Sequence, residues 1–196
     1  MRITQDLEGS LSGARLSIGR FTYGVELLMV RQWGEGAALR IGRFCSFADN
    51  IRILLGGNHR VDWITTYPFG HTYQDILGAQ KIAGHPQSNG DVVIGNDVWV
   101  ASAATILSGI TIGDGAVIAT NTTVVKDVAP YSIVGGNPGQ HLKFRFDEEI
   151  RSRLLALRWW DLPIETIREI VPILCSNPNV EMLDRLLDKI RPSGIP

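Results

Sequence analysis

Three things are scarce in this sequence, and each absence removes a class of protein. Cysteine occurs twice in 196 residues, as Cys45 and Cys175. Two cysteines so far apart suit neither a disulfide framework nor a paired metal-ligand motif, and both read as small buried apolar residues. No apolar run approaches the roughly 20 residues that cross a bilayer as a helix. The opening MRITQDLEGS also lacks the charged-then-apolar layout of a secretion signal, so a soluble, cytoplasmic chain is expected. Charge of one sign is missing too: 19 Lys and Arg against 20 Asp and Glu leave −1. With no basic stripe, nucleic acid is not an expected partner.

What is present is a repeat. Glycine is abundant at 21 residues, and it recurs rather than clustering as a linker. From Ile94 the chain falls into six consecutive sixes: IGNDVW, VASAAT, ILSGIT, IGDGAV, IATNTT and VVKDVA. The first position holds Ile94, Val100, Ile106, Ile112, Ile118 and Val124. The fifth holds Val98, Ala104, Ile110, Ala116, Thr122 and Val128, all small or β-branched. Such self-similarity at a fixed period marks a stacked architecture. Six residues accommodate a short strand and a tight corner, and three units close one triangular coil. The first residue then fills the interior and the fifth packs near a corner. The Gly or Ala common at position two, with the polar residues after it, suits corner conformations. A helix is excluded, because apolar residues at i, i+4, i+6 and i+10 hold no single face of a 3.6-residue period.

Earlier units share the pattern: Ile18-Gly19 with Thr22, Ile41-Gly42 with Cys45, Phe47-Ala48 with Ile51, and Ile53 with Gly57. The interval from Ile18 to Ile41 is not a multiple of six, so an excursion containing LLMVRQW and GEG interrupts the early coils. It reads as a strand pair and turn. Residues 60–90 break the repeat more completely, with Trp63, Tyr67, Phe69, Tyr73, Pro68 and Pro86. A long irregular loop inside a compact domain is commonly functional. Past residue 130 the repeat ends. Asp147 reads as the N-cap of a helix running through EEIRSRLLALRWW, followed by ETIREIVPIL with internal Pro172 and by VEMLDRLLDKI. The expected organisation is a β-helix over 1–145, with its loop at 60–90, and a helical cap over 146–196.

His59 stands where the next apolar first-position residue is due, just as the chain leaves the coil. A neutral imidazole can take a proton near pH 7, so His59 is the candidate base. Asn58 and Asp62 flank it and could position the loop or the base. Trp63, Tyr67 and Phe69 could form an apolar wall for an acceptor, or anchor the loop. Trp99 ends a repeat at an outward position, where a tryptophan suits a pocket or an interface. The stretch 94–129 holds no histidine, so no metal is expected there.

Several stretches together carry a family resemblance: IGRF at 18–21, IGRFCS at 41–46, GNHR..W.TTYPF within 57–69, GDVVIGNDVW at 90–99, VVKDVAPYSIVGGNP at 124–138, RFD at 145–147 and LRWWDLP at 157–163. In these the sequence resembles the xenobiotic acetyltransferase group of hexapeptide acyltransferases, which includes type B chloramphenicol and streptogramin A acetyltransferases. The resemblance implies a left-handed parallel β-helix with an α-helical cap. That handedness comes from the resemblance alone, since crossovers between parallel strands are otherwise right-handed. It further implies a homotrimer with active sites between subunits and acetyl-CoA as co-substrate without a metal. Acetyl would pass directly to a hydroxyl, with His59 as base held by a backbone carbonyl. CoA contacts map to Trp99, Ala101, Ser102, Ala119 and Thr120, with Lys126 and Lys143 as cations. Gln140 stands where a cation is common, which leaves Lys143 and Arg145 for the phosphates. Acceptor contacts map to Asn58, Trp63, Tyr67 and Phe69. Residues 70–89 depart from the resistance enzymes, which favours a sugar or glycan acceptor over an antibiotic. N-acetylation of an amino sugar is a further variant, and a β-helix serving only as an assembly module is the non-enzymatic alternative.

Overall fold

The computed structural model describes residues 3–78 and 80–190. The chain divides into two compact units, Met1–Leu142 and Lys143–Pro196. Among the described residues the strands are β1 (Leu7–Leu11), β2 (Ala14–Ile18), β3 (Met29–Arg31), β4 (Leu39–Ile41), β5 (Ser46–Phe47), β6 (Arg52–Leu54), β7 (Val92–Ile94), β8 (Trp99–Val100), β9 (Thr105–Ile106), β10 (Thr111–Ile112), β11 (Val117–Ile118), β12 (Thr123–Val124), β13 (Ser132–Gly135) and β14 (Gln140–Phe144). They form three sheets, ordered β1-β2-β4-β7-β10, β14-β13-β11-β8-β5 and β12-β9-β6-β3. From β4 to β12 the chain visits the first, second and third sheet in strict rotation, one strand at each.

The register shows why six is the period. Val93 pairs with Thr111, Trp99 with Val117 and Thr105 with Thr123, all in parallel. Each partner is eighteen residues away, which is three sixes and one complete coil. The first-position residues from Ile94 to Val124 are at most 2% exposed, and every fifth-position residue from Val98 to Val128 is buried. Removal of each such Ile or Val from water stabilises the coil by about 1.5–3 kcal/mol.

The corners differ from the expectation. The left-handed backbone falls at position four, at Asp97, Ala103, Gly109, Gly115 and Asn121, and not at position two. At Gly95 and Gly113, position two is glycine because successive coils nearly touch there. A Cβ on Gly95 would lie 2.8 Å from the Asp114 backbone nitrogen.

Two departures from eighteen locate the excursions. Met29 pairs with Arg52, twenty-three residues on, and Arg40 pairs with Val93, fifty-three on. The first excursion is therefore only five residues longer than the repeat and lies at 32–38. LLMVRQW is not a strand pair: Met29–Arg31 is a coil strand, parallel to Arg52–Leu54. The hairpin of this region lies earlier, between β1 and β2, which pair antiparallel. The second excursion, at 58–91, also leaves after a third-sheet strand and returns to a first-sheet strand. Both excursions thus emerge along the same edge of the prism.

The second unit holds α2 (Glu148–Leu157), α3 (Ile164–Leu174) and α4 (Val180–Ile190); the short α1 (Gln74–Leu77) belongs to the long loop. Asp147 caps α2 by accepting from the Ile150 N–H at 2.9 Å. The helix stops short of the expected Trp159-Trp160, because Arg158 takes a left-handed conformation and Trp159–Asp161 forms a separate 3-10 turn. Ile150, Leu157, Ile170, Leu183 and Leu186 make this unit's own core, and the Arg153 Nε–Asp184 pair at 2.7 Å ties α2 to α4.

Candidate active site

The long loop is closed at its neck by a two-residue antiparallel bridge. Asn58 N–H donates to the Gln87 carbonyl and Gln87 N–H to the Asn58 carbonyl, both at 2.9 Å. The Asn58 amide nitrogen also donates to Ser108 Oγ at 3.2 Å, and the Asn89 N–H reaches the same oxygen at 3.2 Å. Asn58 therefore fastens the loop to the next coil, and its side chain is committed to that task. Everything between 59 and 86 hangs from this clamp.

His59 is the first residue beyond it. Its Nδ1 lies 2.7 Å from the Thr66 carbonyl oxygen. A carbonyl can only accept, so the neutral ring carries its hydrogen on Nδ1 and keeps a lone pair on Nε2. His59 is an exposed residue. The Thr66 carbonyl is held in place by local turns. Tyr67 N–H donates to Thr65 Oγ1 at 3.1 Å, and the N–H groups of His71 and Thr72 both reach the Pro68 carbonyl at 2.9 Å.

The residues around His59 form a connected cluster. Arg60 pairs with Asp62 through two hydrogen bonds, one of 2.7 Å from Nε. The guanidinium hydrogen bonds hold the Asp62 carboxyl at about 2. The same guanidinium lies 4.8 Å from the Trp63 ring centre. Tyr67 and Phe69 stack at 4.8 Å and stay more than a third exposed. Trp63, Tyr67 and Phe69 thus sit in the same loop as His59 and offer an apolar surface.

Two residues near the base were missed by sequence reasoning. His85 is buried, 5.2 Å from the His59 ring centre and nearly perpendicular to it. Trp33, from the first excursion, lies across Gly57: a Cβ there would come within 2.7 Å of its ring. Gly57 has a φ of +79°, so glycine is required there on both counts. A cavity of about 460 Å³ opens between the two excursions, lined by Glu35, Gly36, Ala37, Pro86, Gln87, Ser88, Gly90 and Asp91. The only sequence sign of Trp33 was a tryptophan inside a break in the repeat.

The expected CoA contacts fall on different edges. Ala101 and Ser102 follow β8, and Ala119 and Thr120 follow β11, so the four stack along the corner between the second and third sheets. Asn121 N–H donates to the Ser102 carbonyl at 3.0 Å across that corner. The Ser102 hydroxyl donates to Asp49 at 2.5 Å, which lowers the Asp49 carboxyl pKa. Trp99, on the second sheet, is 53% exposed. Lys126 is exposed and follows β12, so it lies on the third-to-first edge, the edge of His59. Lys143 is an exposed residue of β14 within the second unit. One chain therefore carries His59, Trp63, Tyr67 and Phe69 on one loop, and separates that loop from the corner of small residues. Among the described residues no group of three or more His, Cys, Asp or Glu side chains could hold a metal ion, and no helix is long and apolar enough to cross a membrane.

Known proteins match this chain in sequence and in fold. The bacterial transferase hexapeptide (six repeats) family matches residues 91–126. A chloramphenicol acetyltransferase of Escherichia coli is 46% identical over 141 residues, which cover 71% of this chain and 67% of that protein. A probable macrolide acetyltransferase of Lysinibacillus sphaericus is 45% identical over 154 residues, 76% of this chain and 83% of the other. A virginiamycin A acetyltransferase of Staphylococcus aureus is 44% identical over 154 residues, 76% and 68%. In fold, the chain is similar to a hexapeptide-repeat acetyltransferase of Vibrio cholerae solved with acetyl coenzyme A. That likeness has a TM-score of 0.51 and 23% identity, over 68% of this chain and 64% of that one.

Proposed function

Since this chain belongs to the hexapeptide-repeat acetyltransferases, we propose that it moves acetyl from acetyl-CoA directly to a hydroxyl of a small molecule, with His59 as the general base. The observation that carries the proposal is the hydrogen bond of His59 Nδ1 to the Thr66 carbonyl. It fixes the tautomer in which Nε2 is a free base. In the proposed step His59 Nε2 takes the hydroxyl proton while the oxygen bonds to the thioester carbonyl carbon. Collapse of the tetrahedral adduct breaks the carbon–sulfur bond, and His59 returns the proton to the departing thiolate. Base catalysis of this kind is worth about 10²- to 10⁴-fold.

Acetyl-CoA would run along the corner of Ala101, Ser102, Ala119 and Thr120, where small side chains leave backbone groups within reach of an extended pantetheine arm. Trp99 would flank it, and Lys126, on the edge of His59, would reach its phosphates from the neighbouring chain. Because base and corner lie on different edges of one prism, the complete site would combine the loop of one chain with the corner of another. A left-handed coil assembled as a homotrimer meets that need, and the reaction would take place in the cytoplasm, where acetyl-CoA is at hand.

Of the two acceptor classes, the relatives' names favour the antibiotic, since chloramphenicol, macrolide and virginiamycin A acetyltransferases all match at 44–46% identity. The apolar wall of Trp63, Tyr67 and Phe69 supports the same choice. The test is thiol release from acetyl-CoA with chloramphenicol, a streptogramin A, a macrolide, nucleotide sugars and oligosaccharides as acceptors. Turnover on an antibiotic, reduced about 10²- to 10⁴-fold in His59→Ala, is the expected result. Turnover confined to the sugars would move the acceptor to the glycan class. Turnover undiminished in His59→Ala would overturn the role of His59, and absence of CoA binding would overturn the whole reading.

A further inference from the structure

We infer that His85 is a positioning residue for His59, holding its ring and the start of the loop in the orientation from which Nε2 works. This rests on the reading of His59 as the base. Three contacts carry it. The two imidazoles meet edge to face, with ring centres 5.2 Å apart and planes at 88°. The Arg60 backbone N–H donates to His85 Nε2 at 3.3 Å, so His85 grips the peptide unit immediately after His59. Trp63 also packs against His85, at 5.3 Å and 68°. The His59 ring is thus held at Nδ1 by the Thr66 carbonyl and at its flank by His85. These two supports reach it from opposite ends of the loop, seven and twenty-six residues away.

His85 has little reason to be there for stability alone. It is buried, and its Nδ1 has no hydrogen-bond partner among the described residues. Buried polar atoms are usually paired, and an unpaired one is destabilising. A phenylalanine or leucine would fill the space without that cost, but could not accept from the Arg60 N–H. Accepting at Nε2 also requires the neutral ring with its hydrogen on Nδ1. The surroundings favour this form. Burial, then the neighbouring His59 and Arg60, push the His85 pKa below the ordinary histidine value, with His71 adding to them and Asp62 opposing. Protonation would remove the acceptor from the Arg60 N–H and set a cation against the base.

Ring ¹⁵N spectra of the histidine-labelled full-length protein test this without any acceptor. The four histidines are assigned by single substitution. In the parent protein His59 is expected as the Nδ1–H tautomer. In His85→Ala its two nitrogens should move toward averaged values, as the ring gains a second orientation. His85→Gln, which returns an acceptor to the Arg60 N–H, should restore part of the parent spectrum, and His71→Ala, in the same loop, should leave it unchanged. With an acceptor that the thiol-release assay turns over, His85→Ala should lower kcat about ten- to a hundredfold, the scale of a slightly misplaced catalytic group. The KM for acetyl-CoA should stay within about twofold. An unaltered His59 spectrum in a folded His85→Ala protein would overturn the inference. If His59→Ala is inactive while His85→Ala keeps the parent kcat, the positioning role alone fails. If His59→Ala is active, the base reading fails first.

Discussion

Burial sets the two cysteines apart as sharply as the Thr66 carbonyl sets apart the two nitrogens of His59. Cys45 is 0% exposed, and desolvation pushes its thiol up to about 12, with the nearby Asp97 and Asp114 adding to the effect. Cys175 is exposed. Since only a thiolate reacts, a disulfide-exchange reagent at pH 8 should titrate one thiol in the native protein and a second only on unfolding. Two rapid equivalents would mean that the Cys45 corner opens. The sequence made His59 legible because an imidazole occupied a column otherwise held by apolar residues. It did not reveal His85, because the contact between them is made by a loop folding back across twenty-six residues, and no local period records such a closure.

Among the elements, the hexapeptide is legible in its interior and obscure at its corners. The first column must be apolar to fill the interior and the fifth must be small or β-branched, so both declare themselves. The left-handed residue at position four does not, because Asp97, Ala103, Gly109, Gly115 and Asn121 share no composition. At Gly95 and Gly113, position two looks like a flexible corner but is a spacer set by the distance between coils. Gly95→Ala is therefore expected to cost about 1–3 kcal/mol, as overpacking does, because its new methyl would meet the Asp114 backbone. Urea unfolding followed by circular dichroism measures this. A loss below about half a kcal/mol would mean that the coils separate readily. The same argument explains the misread excursion. Met29–Arg31 looks like half of a hairpin when only neighbours in sequence are considered, whereas its partner, Arg52–Leu54, lies a whole coil away.

For the whole molecule, the division of the candidate site between two edges leads to a mixing experiment. His59→Ala removes the base, and Ala101→Trp blocks the corner. Each variant alone is expected to be inactive. Trimers reassembled from a mixture should regain turnover, because some sites would then pair an intact loop with an intact corner. Recovery would be absent if each chain worked alone. Light scattering of the unmixed protein gives the subunit count that the scheme requires, three.

The neck at Asn58 and Gln87 has a practical corollary. It lets the chain leave the coil and rejoin it with the strand register intact, so the segment proposed to meet the acceptor is mounted as a cassette on the coil. Exchange of residues 59–86 for the corresponding segment of a relative, cut at the bridge and with the histidine retained, should transfer acceptor preference while leaving thermal stability nearly unchanged. The same exchange made a few residues further into Arg52–Leu54 or Val92–Ile94 should instead cost the protein its fold.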